Sequence, residues 1–379
     1  MKKKLNLKIT AVICLIFMIL LLIMTVFRSK GRESYQENRK LAEIPKLSLS
    51  AVCDGSYFKE IGEYFSDHFA GRSHWISFKG TADAEIGESI VNGVYISDNM
   101  LLDTIEHEIK NMDKCAELIN DYAEDYGGRV FLVAVPSSSG VYSNMLPEYI
   151  EFSEQRQISE LYAMLDNGIR TIDAYNILKM LNDNYIYYRN DSRWTSYGAY
   201  CVYRTVIQKL GFLPIAYDKY TIEHVTGDFR GNLYNQTQYT GVKADMLDVY
   251  DYNEGAEIVS FMGYDIDGSK FEKSLYDKSY IGSNDMYGFY MGKEVPFVRI
   301  KTTVNNDKKL LVIKDSYADC FIPFLIQHYS EIAVVSPKCF RESNAVLSRL
   351  IDKESYAQTL FLFGAEQFPD PETLSIINK

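Results

Sequence analysis

The fold is decided by the stretch Leu310-Leu311-Val312-Ile313-Lys314-Asp315-Ser316-Tyr317-Ala318. Its first four residues are apolar, as expected of a parallel strand covered on both faces. A two-residue turn follows, and Ser316 then opens a predicted helix that continues through Phe324 and His328. Backbone N–H groups in a first helical turn lack partners within the helix, so the Ser316 hydroxyl would lie beside donors suited to an oxyanion. Ser316 is therefore the candidate nucleophile, and it requires a base held by a third group.

The candidate base comes from an upstream segment, Tyr187-Tyr188-Arg189-Asn190-Asp191-Ser192-Arg193-Trp194-Thr195-Ser196-Tyr197-Gly198-Ala199-Tyr200. It resembles the signature of the DHHW family, in which an Asp-His-His-Trp run precedes Thr and a Gly-Ala-Tyr helix, and a strand ending in Asp-Ser-Tyr follows much later. That family is similar in turn to the SGNH-like proteins that O-acetylate alginate and other exopolysaccharides outside the cytoplasm. The resemblance implies a catalytic triad at Asp191, Arg193 and Ser316, and we predict that Trp194 and Tyr317 contact the substrate.

The chain departs from the signature at the two histidines, where it has Ser192 and Arg193. A guanidinium group has no acceptor nitrogen and stays protonated at physiological pH, so Arg193 cannot take a proton from Ser316. The family mechanism therefore cannot run unchanged.

Three hypotheses follow from this departure. In the first, the site is degenerate and the protein binds polysaccharide or an acyltransferase partner. In the second, it remains a serine-dependent O-acyltransferase or esterase whose base is Asp191 itself, His224 or His328. In the third, it is a non-catalytic interaction protein of the cell envelope, unrelated to acyl groups.

A second candidate loop follows the apolar run Val130-Phe131-Leu132-Val133-Ala134-Val135. Open α/β sheets bind ligands at the carboxyl ends of their strands, so Ser137 in the loop Pro136-Ser137-Ser138-Ser139-Gly140 is a candidate substrate-binding residue. Serines are also common turn formers and helix caps, and the sequence leaves both roles open.

Strands and helices alternate over most of the chain, which predicts an α/β fold: an SGNH-hydrolase-like, mostly parallel sheet with helices on both faces. Further strands are predicted at Ile169–Ile172, Ile332–Val335 and Thr359–Phe363, and helices at Ser196–Leu210 and Asn344–Ile351. Residues from about 211 to 309 interrupt the alternation and predict a β-rich insertion beside the site.

The N-terminal region predicts a membrane anchor. Residues 9–27 form a run of nineteen uncharged residues rich in Ile, Leu and Met, close to the roughly 20 that cross a bilayer core. No small-residue cleavage site follows, so we expect a cytoplasmic tail (1–8), an uncleaved transmembrane helix (9–27), a stalk (28–50) and an extracytoplasmic α/β domain (51–379). The predicted location is the cell membrane, with a single pass.

An amphipathic helix is predicted after the stalk. Phe58, Ile61, Phe65 and Phe69 recur at helical spacing. The following Asp67–Arg72 element also occurs in DHHW proteins, and we predict an ion pair that holds the helix end.

Net charge and composition limit the classes of partner that the protein is expected to bind. The first 32 residues hold seven of the 40 basic side chains and no acidic one, so the remainder carries 33 basic against 51 acidic groups, a net charge of −18. This disfavours nucleic acid as a partner. Scattered cysteines and histidines have no metal-ligand spacing, so no metal or cofactor is expected. The predicted partners are the membrane through residues 9–27, a polysaccharide, and a membrane-bound O-acyltransferase that supplies acetyl groups.

Overall fold

A computed structural model describes residues 39–341 and 347–378, together with residues 10, 12, 13, 15, 16, 18–20, 23, 25, 33 and 34. The chain divides into two compact units: Met1–Asn92 with Asn235–Thr240, and Gly93–Tyr234 with Gly241–Lys379. In the described part of the chain, no helix has both the length and the apolar character needed to cross a bilayer. Much of the predicted 9–27 anchor, including Cys14, lies outside the described residues.

The strands, in chain order, are β1 (Glu33–Ser34), β2 (Arg39–Lys40), β3 (Ile90–Val91), β4 (Val94–Ile96), β5 (Leu101–Asp103), β6 (Arg129–Val135), β7 (Arg170–Thr171), β8 (Thr221–Phe229), β9 (Asp245–Asp251), β10 (Ile258–Tyr264), β11 (Lys270–Glu272), β12 (Phe297–Thr302), β13 (Lys309–Lys314), β14 (Glu331–Val335) and β15 (Gln358–Gly364). Eight of them form the main sheet of the second unit, in the order β11-β10-β12-β14-β13-β15-β6-β7.

The main sheet is mixed. Strands β14, β13, β15, β6 and β7 are parallel to one another, which confirms the predicted parallel core. Strands β12, β10 and β11 continue the same sheet in antiparallel fashion, so "mostly parallel" holds only for this core. These three strands come from the predicted β-rich insertion, whose remaining strands, β8 and β9, form a separate antiparallel pair.

The described α-helices are Leu49–Cys53, Ser56–Asp67, Arg72–Glu85, Met112–Tyr126, Ser138–Val141, Glu154–Ala163, Ala174–Met180, Ser196–Lys209, Asn232–Thr237, Ile322–Leu325 and Pro371–Leu374. Of the helix predicted at Asn344–Ile351, residues 344–346 lie outside the described residues, and Leu347–Arg349 form a 3-10 turn.

Helices cover both faces of the parallel core because successive strand residues point to opposite sides. Phe131 and Val133 pack in one apolar cluster, which includes residues of the helices Ala174–Met180 and Ser196–Lys209. Val130 and Leu132 pack in the other, with the helix Met112–Tyr126.

The first unit contains the predicted amphipathic helix, at Ser56–Asp67. Asp67 is buried and accepts a hydrogen bond from the Ala42 N–H at 2.8 Å. Arg72 lies 3.7 Å from the Asp67 carboxylate and donates to the Ser66 carbonyl at 3.2 Å. The predicted ion pair at the end of this helix is therefore present.

Candidate functional site

Three loops of the second unit meet at one edge of the main sheet. Strands β13, β15 and β6 are adjacent and parallel, so the segments that follow their carboxyl ends are neighbours. These segments carry Ser316 after β13, Glu366 and Gln367 after β15, and Ser137 after β6. This is the edge at which α/β sheets commonly bind ligands.

Ser316 lies at the start of a 3-10 turn, Ser316–Ala318, rather than in a long α-helix. The side chain of Asp315 holds this turn: Oδ1 accepts the Tyr317 N–H at 2.9 Å and Oδ2 accepts the Gly364 N–H at 2.7 Å. The expected row of free N–H donors beside the serine is thus partly used, because Asp315 takes the first of them. The Ser316 hydroxyl donates to Gln367 Oε1 at 2.9 Å.

The segment that carries Asp191 is a tight loop closed by an antiparallel bridge between Tyr187 and Trp194. Thr195 then caps the helix Ser196–Lys209, its hydroxyl accepting the Gly198 N–H at 3.1 Å. A side chain at Gly198 could not be accommodated, since a Cβ there would lie 2.2 Å from the Ile186 carbonyl oxygen. Contacts between residues that are close in sequence therefore fix the conformation of this loop.

Residues of the insertion brace the same loop. The fully buried carboxylate of Asp245 accepts hydrogen bonds from the Asn190 N–H at 2.9 Å and from Tyr185 at 2.6 Å. Asn232 donates its N–H to Asp191 Oδ2 at 3.0 Å. Its side chain accepts the Ser192 N–H and donates to the Ser192 hydroxyl, each at 3.0 Å. The insertion thus lies beside the site, as predicted.

Arg193 and Asp191 form a two-pronged ion pair. The guanidinium donates from Nε to Asp191 Oδ1 and from a terminal nitrogen to Oδ2, each at 2.7 Å. Its carbon lies 3.5 Å above the centre of the Tyr287 ring. Burial by itself would lower the pKa of Arg193, but the Asp191 carboxylate outweighs it and holds that pKa well above its ordinary value. Arg193 is therefore a permanent cation in this site.

The two remote segments meet through Tyr317 and Trp194. The Trp194 indole donates to the Tyr317 carbonyl oxygen at 2.8 Å. The Tyr317 hydroxyl lies 3.1 Å from the Ser192 carbonyl oxygen and donates to Glu366 Oε1 at 2.9 Å. The Ser192 hydroxyl donates to the same Glu366 oxygen at 2.6 Å. Glu366 thus joins the Asp191 loop to the Ser316 turn.

Glu366 was missed by the sequence analysis, although it lies only three residues after the predicted strand Thr359–Phe363. Burial raises its pKa, and the hydrogen bonds from Ser192 and Tyr317 partly offset that rise. Acidic residues after strands are common, so the sequence position of Glu366 does not by itself indicate a site. The pairing of β15 with β13 and β6 shows which loops Glu366 connects. The only sequence feature that could have identified Glu366 was its position after a predicted strand.

A buried carboxyl group, that of Glu154, is hydrogen-bonded to Ser137. Glu154 accepts the Ser137 N–H at 2.8 Å and its hydroxyl at 2.7 Å, and burial raises the pKa of Glu154 to about 8. Ser137 also caps the short helix Ser138–Val141 by accepting the Gly140 N–H at 3.1 Å. The helix-capping role that the sequence left open for Ser137 is present.

The histidines considered as alternative bases are engaged elsewhere. His328 is buried, lies 2.7 Å from the Tyr203 hydroxyl, and has its pKa lowered to about 4 by burial. His224 pairs with Asp248 across β8 and β9 at 2.6 Å. His107, which the sequence analysis did not single out, lies near Asp103 and Glu366, and its pKa is raised, chiefly by a hydrogen bond with Asp103.

The three predicted substrate contacts are enclosed. Trp194 and Tyr317 are fully buried and Ser137 is 2% exposed. The Trp194 ring stacks on Phe321 with a ring separation of 6.1 Å. The structure thus gives these residues packing and hydrogen-bonding roles, and their contact with substrate stays a prediction.

A narrow pocket lies at the same edge of the sheet, with a free volume of about 10 Å³, which is room for about one water molecule. Lys314, Asp319 and Ser336, which lie at or after the ends of β13 and β14, form one side, and Lys273 and residues 291–295 of the insertion form the other. Burial, assisted by Lys314, lowers the pKa of Lys273 to about 8. Lys314 Nζ donates to Asp319 Oδ1 at 2.6 Å, and Lys273 Nζ donates to the Lys293 carbonyl oxygen, so these charged groups have partners within the protein.

In the described part of the chain, no group of three or more His, Cys, Asp or Glu side chains is arranged to hold a metal ion. Cys53, Cys115, Cys201, Cys320 and Cys339 are free thiols. The chemistry that this edge offers is that of a serine hydroxyl, a paired arginine and buried carboxyl groups.

The fold and this edge define a mixed α/β protein with a serine turn and an acidic loop at the carboxyl ends of parallel strands. A family model described as DHHW protein matches residues 77–335, and the chain belongs to that family. The match includes both Asp191-Ser192-Arg193-Trp194 and Asp315-Ser316-Tyr317.

The solved structures that share the fold include a DHHW family protein and PatB1. A DHHW family protein from Eubacterium siraeum is 24% identical, with a TM-score of 0.64 over 75% of this chain and 95% of that chain. Bacillus cereus PatB1, solved with a sulfonyl adduct, is 17% identical, with a TM-score of 0.63 over 74% of this chain and 97% of that chain. No curated protein matches the sequence.

Proposed function

We propose that this protein is anchored in the cell membrane through residues 9–27 and acts outside the cytoplasm in the O-acetylation of an envelope or secreted polysaccharide. Its role is to bind the glycan or to assist a membrane-bound O-acyltransferase. Family membership and the resemblance of the signature to that of exopolysaccharide O-acetylating proteins support the pathway.

The observation that carries the accessory role is the two-pronged pair of Arg193 with Asp191. A catalytic serine needs a base that accepts its proton, and loss of the triad base costs several orders of magnitude in rate. Here the cation occupies the position of the family histidine and also takes both carboxylate oxygens that would orient an imidazole. Ser316 instead donates to the neutral side chain of Gln367.

The test uses the full-length protein in detergent, an aryl acetate and then an acetylated polysaccharide. The matched variants are Ser316→Ala and Ser348→Ala, the latter at an exposed serine in the turn Leu347–Arg349. We expect equal, background hydrolysis by all three proteins. Turnover lost only in Ser316→Ala would contradict the accessory role and establish a serine enzyme with another base.

Binding is tested separately by co-sedimentation with cell-wall and secreted polysaccharides. We expect retention of one glycan class by the wild type and by Ser316→Ala alike. If the protein binds none of the glycans, the result would instead favour an envelope interaction protein that does not act on acyl groups.

A further inference from the structure

The helix Ser56–Asp67 leaves its predicted apolar stripe open. Phe58 and Phe65 in the helix are 62% and 41% exposed, and Phe69, two residues beyond its end, is 37% exposed. An amphipathic helix in a globular protein normally packs such a stripe against the core. The stripe therefore needs an apolar occupant that the described residues do not supply.

The next helix, Arg72–Glu85, has the same property. Trp75 and Phe78 are 52% and 68% exposed, and Ile86 directly after the helix is 76% exposed. Positions 75, 78 and 86 share one helical face, because the spacings are close to whole turns. Phe58, Phe65, Phe69, Trp75 and Phe78 together are called the aromatic surface below.

The connection between these two helices lies against the end of the apolar N-terminal segment. The Ala70 N–H donates to Thr25 Oγ1 at 3.0 Å, and Thr25 is buried. The described residues between 10 and 25 are helical, and their large apolar side chains, such as Met18 and Ile23, are 67% and 46% exposed. Thr25 lies two residues before the end of the 9–27 segment, where an anchor would leave the bilayer core.

We infer that the aromatic surface rests in the outer interfacial layer of the membrane, beside the anchor. The inference depends on the proposed membrane anchorage: if residues 9–27 span the bilayer, Thr25 lies at its edge, and the hydrogen-bonded Ala70 with its flanking helices lies within reach of the lipid headgroups. Aromatic side chains are enriched at this depth, and amphipathic helices bind there through their apolar faces.

Charge does not account for this attachment. The helix Ser56–Asp67 carries exposed Lys59 but also exposed Glu60 and Glu63. Attachment by apolar burial rather than by charge predicts insertion into zwitterionic as well as anionic bilayers, with weak dependence on salt.

The two tryptophans of the chain allow a direct test. Trp75 belongs to the aromatic surface, whereas Trp194 is fully buried in the other unit. The full-length protein is reconstituted in phosphatidylcholine vesicles with brominated acyl chains, and tryptophan emission is compared with that in unlabelled vesicles. We expect a blue shift and strong quenching in the wild type, and loss of nearly all quenching in Trp75→Phe, which retains only Trp194.

A second variant retains Trp75 as the fluorescent reporter and removes apolar side chains from the aromatic surface. Phe58→Ser/Phe65→Ser/Phe78→Ser should reduce the quenching of Trp75 several-fold, whereas Leu213→Ser, at a side chain 86% exposed in the other unit, should leave it unchanged. All of these positions are exposed, so loss of folding is not expected.

The possible outcomes distinguish membrane contact by the aromatic surface from anchorage by residues 9–27. Protein that floats with the vesicles while Trp75 stays unquenched and solvent-exposed would overturn the inference and leave the anchorage intact. A blue shift without lipid quenching that depends on protein concentration would also overturn it and assign the surface to a second copy of the chain. Protein that fails to enter vesicles would overturn both the anchorage and the inference.

Discussion

Arg193 holds both carboxylate oxygens of Asp191 with two hydrogen bonds of 2.7 Å, in a position where the carboxylate is fully buried and the guanidinium side chain only 11% exposed. Side-chain pairs of this geometry are among the stronger hydrogen-bonded interactions in proteins. In the proposed function, this pair stands where the family signature has a carboxylate and an imidazole. Arg193 therefore stabilises the loop through this ion pair and, because it has no acceptor nitrogen, cannot act as a general base.

Arg193→Met should destabilise the second unit strongly. Removing one member of a buried ion pair leaves an uncompensated charge, which costs about 3–5 kcal/mol. The measurement is the free energy of unfolding by denaturant, with Arg156→Met at a side chain 72% exposed as the control. The double variant Asp191→Asn/Arg193→Met should recover part of the loss, and equal stability of Arg193→Met and the control would refute the role assigned to the pair.

Arg193→His should introduce or raise esterase activity toward an aryl acetate. Imidazole can accept a proton near neutral pH, and a positioned general base contributes about 10²–10⁴-fold in rate. Any gain should be lost again in Arg193→His/Ser316→Ala, and Arg193→Lys should show none because ammonium has no acceptor.

The companion variant Ser192→His/Arg193→His restores the full family signature. Ser192 is 1% exposed and donates to Glu366, so the larger ring must displace that hydrogen bond. Absence of activity in both variants would mean that the site differs from its relatives beyond these two positions.

Tyr317→Phe should destabilise the site while leaving the Ser316 hydroxyl in place. The substitution removes the hydroxyl that donates to Glu366 at 2.9 Å, and loss of a buried hydrogen bond to a charged or polar partner costs about 1–3 kcal/mol. Tyr149→Phe, at a side chain 75% exposed, is the matched control. Indistinguishable unfolding of the two variants would show that the Glu366 network does not hold the loops together.

Glu154 should make stability fall as the pH rises. Its pKa is about 8 in the folded protein against an ordinary value of 4.5, so the native state favours the protonated carboxyl group. The stabilisation is complete below pH 4.5 and is lost as the pH rises through 8. Glu154→Gln stays neutral and should flatten this part of the profile.

The measurement for Glu154 is the difference in unfolding free energy between wild type and variant, below pH 4.5 and above pH 8. The difference should move in favour of Glu154→Gln at the higher pH. Glu151→Gln, three residues earlier and exposed, is the control. A pH-independent difference would mean that the Glu154 carboxyl group does not titrate in this range.

Several features were predictable from sequence because they depend on local pattern. The apolar runs at Val130–Val135 and Leu310–Ile313 coincide with strands β6 and β13, and the predicted helix from Ser196 is present. The helix predicted after Ser316 was wrong in form: a 3-10 turn and the short helix Ile322–Leu325 stand there instead. Asp315 and Pro323 sit where they favour a tight turn over a continuous helix.

The amino-acid sequence alone determined which side chains could do chemistry: a serine after a buried strand, and an arginine whose permanent charge bars it from accepting a proton. It could not determine which loops meet, because neighbours in a sheet are set by strand order and not by distance along the chain. Only the tertiary structure brings Glu366, about fifty residues beyond Ser316, between Ser192 and Tyr317. Likewise, it alone leaves the apolar stripe at Phe58 and Phe65 open, since periodicity predicts an apolar face but not what covers it.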